Sequence, residues 1–215
     1  MKLALIGHGR MGRLVEELAA AQGLEIVALE KAEVAVDFTV PHAVVDNVRK
    51  AAGLGVNLVV GTTGWSSRME EVRAIVNQHG IGLIYGANFS IGVNLFFRII
   101  RQAAAEFARH PEFDPWIWEM HHITKKDAPS GTALKLGALL KEVYGDRAVS
   151  ISSNRAGQVP GTHTVGWEAD ADALTFTHTA RSRKGFALGA LWAAKWIQGR
   201  KGFYEFSEAL WEAQR

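Results

Sequence analysis

The 215-residue sequence contains no cysteine, which excludes disulfide bonds, thiolate metal sites and cysteine nucleophiles. No run approaches about 18 uninterrupted apolar residues, so we expect no membrane-spanning helix. The apolar run before Gly7 is too short for the core of a secretory signal peptide, and we expect a cytoplasmic protein. Neither sign of charge is in large excess, with 24 basic and 22 acidic residues, so a nucleic-acid partner is not expected.

The first 90 residues alternate short apolar runs with patterns of helical period, which predicts an α/β fold with a parallel sheet between helices. The predicted strands are 2–6, 25–29, 34–38, 56–60 and 81–85, and the predicted helices are 11–21, 43–52 and 67–78. Gly23 is the predicted C-cap of the first helix, and Ser66 or Ser67 the N-cap of the third.

The second and third apolar runs are unusually close together. Only Lys31, Ala32 and Glu33 separate them, whereas a parallel crossover normally needs roughly a dozen residues. Either one of these strands is very short or their pairing is unusual.

Residues from 91 onward show runs of strands beside separate helices, which predicts an α+β unit with a mostly antiparallel sheet. The predicted elements are helices 93–107, 130–144 and 186–197, and strands 116–122, 149–154, 162–168 and 174–180. We expect two domains. Residues 1–90 with about 185–215 would bind a dinucleotide, and about 91–184 would bind the substrate and form the oligomer.

The run Gly7-His8-Gly9-Arg10-Met11-Gly12 matches G-x-G-x-x-G and lies between a predicted strand and a predicted helix. In that setting the first glycine permits a tight turn, the second lets the backbone approach a pyrophosphate, and the third lets helix and strand pack closely. The helix start offers amides to the phosphates. The motif predicts a Rossmann-like domain; a plain tight turn is the alternative.

Residues after the other strands complete a candidate dinucleotide site. Glu30 follows the second run, where an acidic residue binds ribose hydroxyls, and Lys31 could pair with the extra phosphate of NADP. The two together predict tolerance of both NADH and NADPH, against the alternative of a solvated strand end. The remaining candidates lie in turns at predicted strand ends: Thr39, Gly61, Thr62, Thr63, Ala87, Asn88, Phe89 and Ser90.

The segment 119–132 holds two histidines and two lysines before a predicted helix start. Ser130 is the predicted N-cap, which leaves the amides of Gly131 and Thr132 for an anion. Lys125 can pair with the same anion, and a nearby histidine can move a proton at neutral pH. These features suit a small carboxylate substrate that is reduced and protonated.

A metal site is the weaker alternative for His121 and His122, because adjacent strand residues point to opposite faces. His163 and His178 could join them in space, but no nearby spacing supports a metal site, and we expect none. If the two histidines have neither a catalytic nor a metal-binding role, one would be buried and hydrogen-bonded and the other exposed.

Taken together, these motifs resemble the dihydrodipicolinate reductase family of the diaminopimelate route to lysine. The resemblance spans nearly the whole chain in order, and its most specific part is His-His-x-x-Lys followed by Asp-Ala-Pro-Ser-Gly-Thr. The segments that carry it are 7–12, 37–39, 61–64, 87–90, 121–125 and 127–132, with weaker similarity at 155–163 and 183–189.

The resemblance implies reduction of 4-hydroxy-tetrahydrodipicolinate, by way of dihydrodipicolinate, to tetrahydrodipicolinate with NADH or NADPH. His121 would be the general acid/base and Lys125 the proton donor. The family is typically a homotetramer built through the sheet of the substrate domain. The implied cofactor residues are Gly7–Gly12, Glu30, Gly61–Thr63 and Ala87–Ser90, and the implied ligands of the cyclic dicarboxylate are His122, Lys125, Gly131 and Thr132, next to Ser130.

Two features depart from the family pattern. Ile123 and Thr124 stand where members often carry an arginine and another polar residue, which removes a charge near the substrate. The chain is also shorter after Glu30, which leaves the ribose-binding residue and the cofactor preference open. The competing functions are a different dehydrogenase on the same scaffold and a nucleotide-sensing module without turnover.

Overall fold

The computed structural model describes residues 1–212. Its contacts divide the chain into a first unit, Met1–Ile91 with the residues from Lys184 onward, and a second unit, Gly92–Arg183. The last three residues of the dinucleotide-binding segment predicted to reach 215 lie outside the described residues. Within residues 1–212, no helix has both the length and the apolar character needed to cross a bilayer.

Strands and helices alternate in the first part of the described chain, and the later part contains a run of successive strands. The strands are β1 Lys2–Ile6, β2 Glu25–Ile26, β3 Val34–Asp37, β4 Asn57–Val60, β5 Gly82–Tyr85, β6 Asp114–His121, β7 Ser150–Arg155, β8 Thr162–Glu168, β9 Ala173–Thr179 and β10 Gly202–Glu205. The α-helices are α1 Arg10–Ala19, α2 Val44–Gly53, α3 Met69–His79, α4 Ile91–Phe107, α5 Gly131–Tyr144, α6 Lys184–Ile197 and α7 Phe206–Glu212.

The first unit contains a parallel sheet of order β10-β5-β4-β3-β1-β2, which confirms the predicted α/β fold. Apolar residues of α1 and α6 form the core on one face of the sheet, and those of α2 and α3 form the core on the other. The strand order reverses between β1 and β3. Open α/β sheets bind ligands at such a reversal, beyond the carboxyl ends of the strands.

The sequence left undecided whether one of the second and third strands is very short, and the structure shows that β2 is. It has two residues and pairs with β1, so the predicted strand 25–29 is too long. β3 pairs with the other side of β1, and the connecting residues 27–33 include a 3₁₀ turn, Leu29–Lys31, in place of a crossover helix. Seven connecting residues are too few for such a helix. Glu30 and Lys31 therefore lie in this turn and not at a strand end.

Three local findings complete the first unit. Gly23 is the C-cap of the 3₁₀ turn Ala20–Gln22 that continues α1, in a left-handed conformation with a φ of 72°, so the predicted cap is confirmed at the end of this helical segment. The predicted Ser66 or Ser67 cap is wrong, because both residues form a 3₁₀ turn and α3 begins at Met69. β10 lies outside the sequence predictions and adds an edge strand beside β5.

The second unit contains a sheet of order β7-β6-β8-β9, in which only the β6–β7 pair is parallel. The predicted mostly antiparallel sheet is confirmed. Apolar residues of α4 and α5 cover one face, over Ile117, Val165 and Trp167. Because side chains alternate along a strand, Glu119 and His121 share that covered face with Ile117. β6 ends at His121 and not at the predicted His122, since the chain turns there, with the Lys125 amide bonded to the His122 carbonyl.

Candidate functional site

The glycine motif forms a tight turn between β1 and α1. Gly7 has a φ of 99°, and a Cβ there would overlap the Phe38 carbonyl. A Cβ on Gly12 would overlap the Gly7 carbonyl, so only glycine lets α1 approach the turn this closely. Gly9 differs, because no atom lies within 4 Å of a Cβ built there. The turn is therefore closed towards the sheet and open at the start of α1, as a phosphate-binding turn requires.

The strand register brings the other predicted turns to the same sheet edge. Ile6 pairs with Asp37, Asp37 with Val60, and Val60 with Tyr85, so the next residues of all four strands leave the sheet together. Those turns contain the predicted cofactor residues Thr39, Gly61, Thr62, Thr63, Ala87, Asn88, Phe89 and Ser90.

A buried carboxylate organises this edge. Asp37 is fully buried and accepts hydrogen bonds from the hydroxyls of Thr39 (2.7 Å) and Thr62 (2.8 Å) and from the Thr39 amide (2.9 Å). The Asn47 side chain donates to its other oxygen at 2.9 Å. The hydroxyl hydrogens of both threonines thus point to Asp37, and these side chains can offer a ligand only their oxygen lone pairs. The sequence motif includes Asp37 but does not indicate this role.

The other cofactor candidates differ in exposure. Phe89 is 2% exposed and packs against Phe38, with ring centroids 6.4 Å apart, so its side chain belongs to the core. The Asn88 side-chain oxygen, Oδ1, accepts from the Ser90 amide at 2.9 Å and shapes the turn after β5. Met11 packs against the core of the first unit. Seven candidates are exposed at the surface: His8, Gly9, Arg10, Glu30, Lys31, Thr63 and Ala87.

The candidate substrate site of the second unit begins at the start of α5. Ser130 is the N-cap, as predicted, and its Oγ accepts from the Ala133 amide at 3.2 Å. Its own amide donates to Glu119 at 2.9 Å, and its Oγ lies 3.1 Å from His163 Nε2. Ser130 is therefore buried and fully engaged, whereas Gly131 is exposed with open space beside it. The first helical amides are available to an anion at this position.

Lys125 lies on the loop before this helix. Its Nζ contacts both carboxylate oxygens of Asp127, at 2.7 and 2.9 Å, which lowers the pKa of Asp127 below its usual range. Arg155 on β7 donates to the Asp127 carbonyl at 2.6 Å and so fixes the loop to the sheet. His122 lies on the same loop, where its Nδ1 is 2.7 Å from the Thr124 hydroxyl.

Beneath the loop, Glu119 is fully buried among polar groups from four elements. Burial by itself raises its pKa, but hydrogen bonds from Ser130, Arg155 and Ser153 outweigh burial and lower the pKa to about 2. Burial also lowers the pKa of His121 and brings that of His163 to about 4, although Glu119 opposes both shifts. The carboxylate is therefore ionised and both imidazoles are neutral near pH 7.

The three groups also have ligand types that metals accept. One ligand atom each from Glu119, His121 and His163 lies within 4.8 Å of the others. However, Arg155 already balances the Glu119 charge from 2.9 Å, and a divalent cation would leave a buried excess of positive charge. We therefore assign no metal to this cluster. No spacing in the sequence assigns Glu119, Arg155 or His163 to the site, although Arg155 and His163 lie in a segment of weaker family similarity. Only the strand register brings the three residues to His121.

Comparison with known proteins agrees with the resemblance seen in the motifs. Family models described as dihydrodipicolinate reductase, N-terminus and C-terminus, match residues 24–89 and 92–210. A relative from Christiangramia forsetii named 4-hydroxy-tetrahydrodipicolinate reductase is 36% identical and aligns over 98% of both chains. One of the same name from Methanocaldococcus jannaschii is 37% identical, over 96% of this chain and 80% of its own.

Solved structures support the fold. A dipicolinate-bound dihydrodipicolinate reductase from Paenisporosarcina sp. TG-14 superposes with a TM-score of 0.80 at 22% identity, over 97% of this chain and 98% of that one. A myo-inositol dehydrogenase from Corynebacterium glutamicum gives a TM-score of 0.54 at 14% identity, over 94% and 90% of the two chains. The fold of this chain is therefore also found in a myo-inositol dehydrogenase.

Proposed function

The chain belongs to the dihydrodipicolinate reductase family, and from that membership we propose that it reduces 4-hydroxy-tetrahydrodipicolinate, by way of dihydrodipicolinate, to tetrahydrodipicolinate with NADH or NADPH. The observation that carries the proposal is the 36% identity to a reductase of that name along 98% of the chain. The cytoplasmic location expected from the sequence stays a prediction.

The first unit fits a dinucleotide. The turn at Gly7–Gly12 leaves open space at Gly9, where a pyrophosphate needs close approach of the backbone. Exposed Thr63 and Ala87 lie on the same sheet edge and could contact the ribose and nicotinamide. When bound, the reduced nicotinamide supplies a hydride to the substrate ring.

The second unit fits a dicarboxylate. In the proposal, the amides of Gly131 and Thr132 bind one carboxylate, and His122 and Lys125 contribute charge and hydrogen bonds. Lys125 delivers the proton that completes the reduction, and His121 acts as general acid/base. The bound dipicolinate of the Paenisporosarcina enzyme supports a ligand of this class.

An assay with purified protein tests the proposal. Oxidation of NADH or NADPH should require the product of dihydrodipicolinate synthase, generated by coupling the two enzymes. Turnover on other anionic substrates, such as amino acids or their semialdehydes, with none on the coupled product would indicate a different dehydrogenase. Cofactor binding without turnover on any substrate would indicate a sensing module.

The same assay tests cofactor use. Glu30 offers hydrogen bonds to ribose hydroxyls and Lys31 offers charge to a 2′-phosphate, and both are exposed in one 3₁₀ turn. We expect kcat/KM for NADH and NADPH to agree within about tenfold, which is about 1.4 kcal/mol. A preference much larger than that would show that one of the two side chains does not contact the cofactor.

We propose further that the protein forms a homotetramer through the second unit. The sheet face opposite α4 and α5 carries half-buried Trp116 and Trp118 on β6. Thr164 on β8 and Thr177 on β9 lie on the same face, with hydroxyls 3.0 Å apart. A sheet face of β-branched and aromatic side chains is suited to packing against a second sheet.

Sedimentation should give four times the chain mass of 23.5 kDa. Thr177→Arg places a charge on this face, halfway along the edge strand β9, and should yield smaller species, because an unpaired charge is costly to bury between sheets. Ser67→Arg, an exposed position of the first unit, is the matched control and should remain tetrameric. A wild-type monomer would contradict the assembly.

A further inference from the structure

We infer that Glu119 is the positioning residue of the substrate site, fixing the ring tautomer of His121 and, through Arg155, the loop that carries Lys125. The inference rests on the proposed function for its catalytic consequence. Its structural part concerns only the second unit.

The two oxygens of Glu119 have separate tasks. Oε1 accepts from the Ser130 amide (2.9 Å), the Ser153 hydroxyl (2.8 Å) and Arg155 Nη2 (2.9 Å). These donors come from the start of α5 and from β7. One oxygen therefore connects β7 with the helix whose first amides would bind the substrate.

Oε2 faces the histidines. It lies 3.3 Å from His121 Nδ1 and 3.5 Å from His163 Nε2. Among the described residues, neither Oε2 nor His121 Nδ1 has a hydrogen-bond partner with favourable geometry, although both atoms are buried. A neutral imidazole carries its proton on one nitrogen only, and an adjacent carboxylate favours that proton on the nearer one. His121 Nδ1 is therefore protonated, and its Nε2 carries the lone pair.

Gly161 lies beside His121 Nε2. A Cβ added to Gly161 would lie 3.0 Å from Nε2, so glycine leaves this side of the ring uncrowded. The charged or titratable groups that face the ring are Glu119 on β6, Arg155 on β7, His163 on β8, and Lys125 and Asp127 on the loop. Glu119 is the buried acceptor at Nδ1, and an acceptor lone pair at Nε2 is the form that a general base needs.

Arg155 transmits the same constraint to Lys125. Its Nη2 bonds both Glu119 Oε1 and the Asp127 carbonyl, and the Asp127 carboxylate holds the Lys125 ammonium. One buried carboxylate thus connects His121, the start of α5 and Lys125. This distinguishes it from an ordinary buried ion pair, which would have no relation to the positions of proposed catalytic groups.

The test is the substitution Glu119→Gln, which keeps the shape but removes the charge. Histidine ring NMR on the ¹⁵N-labelled full-length protein should show wild-type His121 protonated at Nδ1 and the variant shifted towards the Nε2 form. We expect kcat of the variant to fall at least about tenfold, with partial recovery in Glu119→Asp. Glu106→Gln, at an exposed position on α4, is the matched control and should change neither readout.

Two results would overturn the inference: a wild-type His121 protonated at Nε2, which needs no variant to fold, or a folded Glu119→Gln protein with unchanged tautomer and kcat. The NMR result needs no substrate. Absence of reductase activity in the wild type would therefore refute the proposed function and leave the tautomer assignment to be decided on its own.

Discussion

Lys125→Ala should lower kcat by about 10²–10⁴-fold, the usual contribution of a positioned proton donor. The substitution removes the ammonium held by Asp127 at 2.7 Å and one partner of the substrate carboxylate, so KM should rise as well. Steady-state rates of cofactor oxidation at saturating cofactor measure both parameters.

The neighbouring Lys126→Ala is the matched control for Lys125→Ala, because Lys126 is exposed and leaves the Lys125–Asp127 pair intact. It should keep kcat within about twofold, since an isolated surface charge contributes little. Equal thermal unfolding of the two variants would show that lost activity is not lost folding. Undiminished turnover in Lys125→Ala would contradict the proton-donor role.

The second large effect is expected at Gly12. Gly12→Ala places a methyl group on the Gly7 carbonyl, so α1 must move away from β1. We expect the free energy of unfolding to fall by about 2–3 kcal/mol, as overpacking of a tight contact typically costs. Denaturant unfolding measures the loss, and cofactor binding should be lost with the turn.

Gly9→Ala provides the contrast to Gly12→Ala within the same motif. Its Cβ meets no atom within 4 Å and its φ of −71° suits alanine, so stability should change little. Cofactor affinity should nevertheless fall about tenfold or more, because the methyl group occupies the space that a pyrophosphate needs. If Gly9→Ala binds NADPH as the wild type does, the phosphates do not lie on this turn.

Features determined by neighbouring residues could be predicted from the sequence. The glycine turn depends on six consecutive residues, and the Ser130 cap on a bond to an amide three positions later. The Glu119 cluster could not be predicted, because it combines β6, β7, β8 and the start of α5. Its members become neighbours only through the register that pairs Glu119 with Ser153 and with His163. The few residues between the second and third apolar runs indicated a very short strand or an unusual pairing near Glu30. They did not indicate that β2 would have two residues.

The return of the chain from the second unit to the first has a consequence for synthesis on the ribosome. One face of the first sheet is covered by α6, whose Ala190, Leu191 and Ala194 pack against strands made far earlier. Until residues 184–197 have emerged, that face is covered only in part, by α1, whereas the second unit is continuous in sequence. The second unit can therefore complete its fold before the first, although domains usually fold from the amino terminus onward during synthesis.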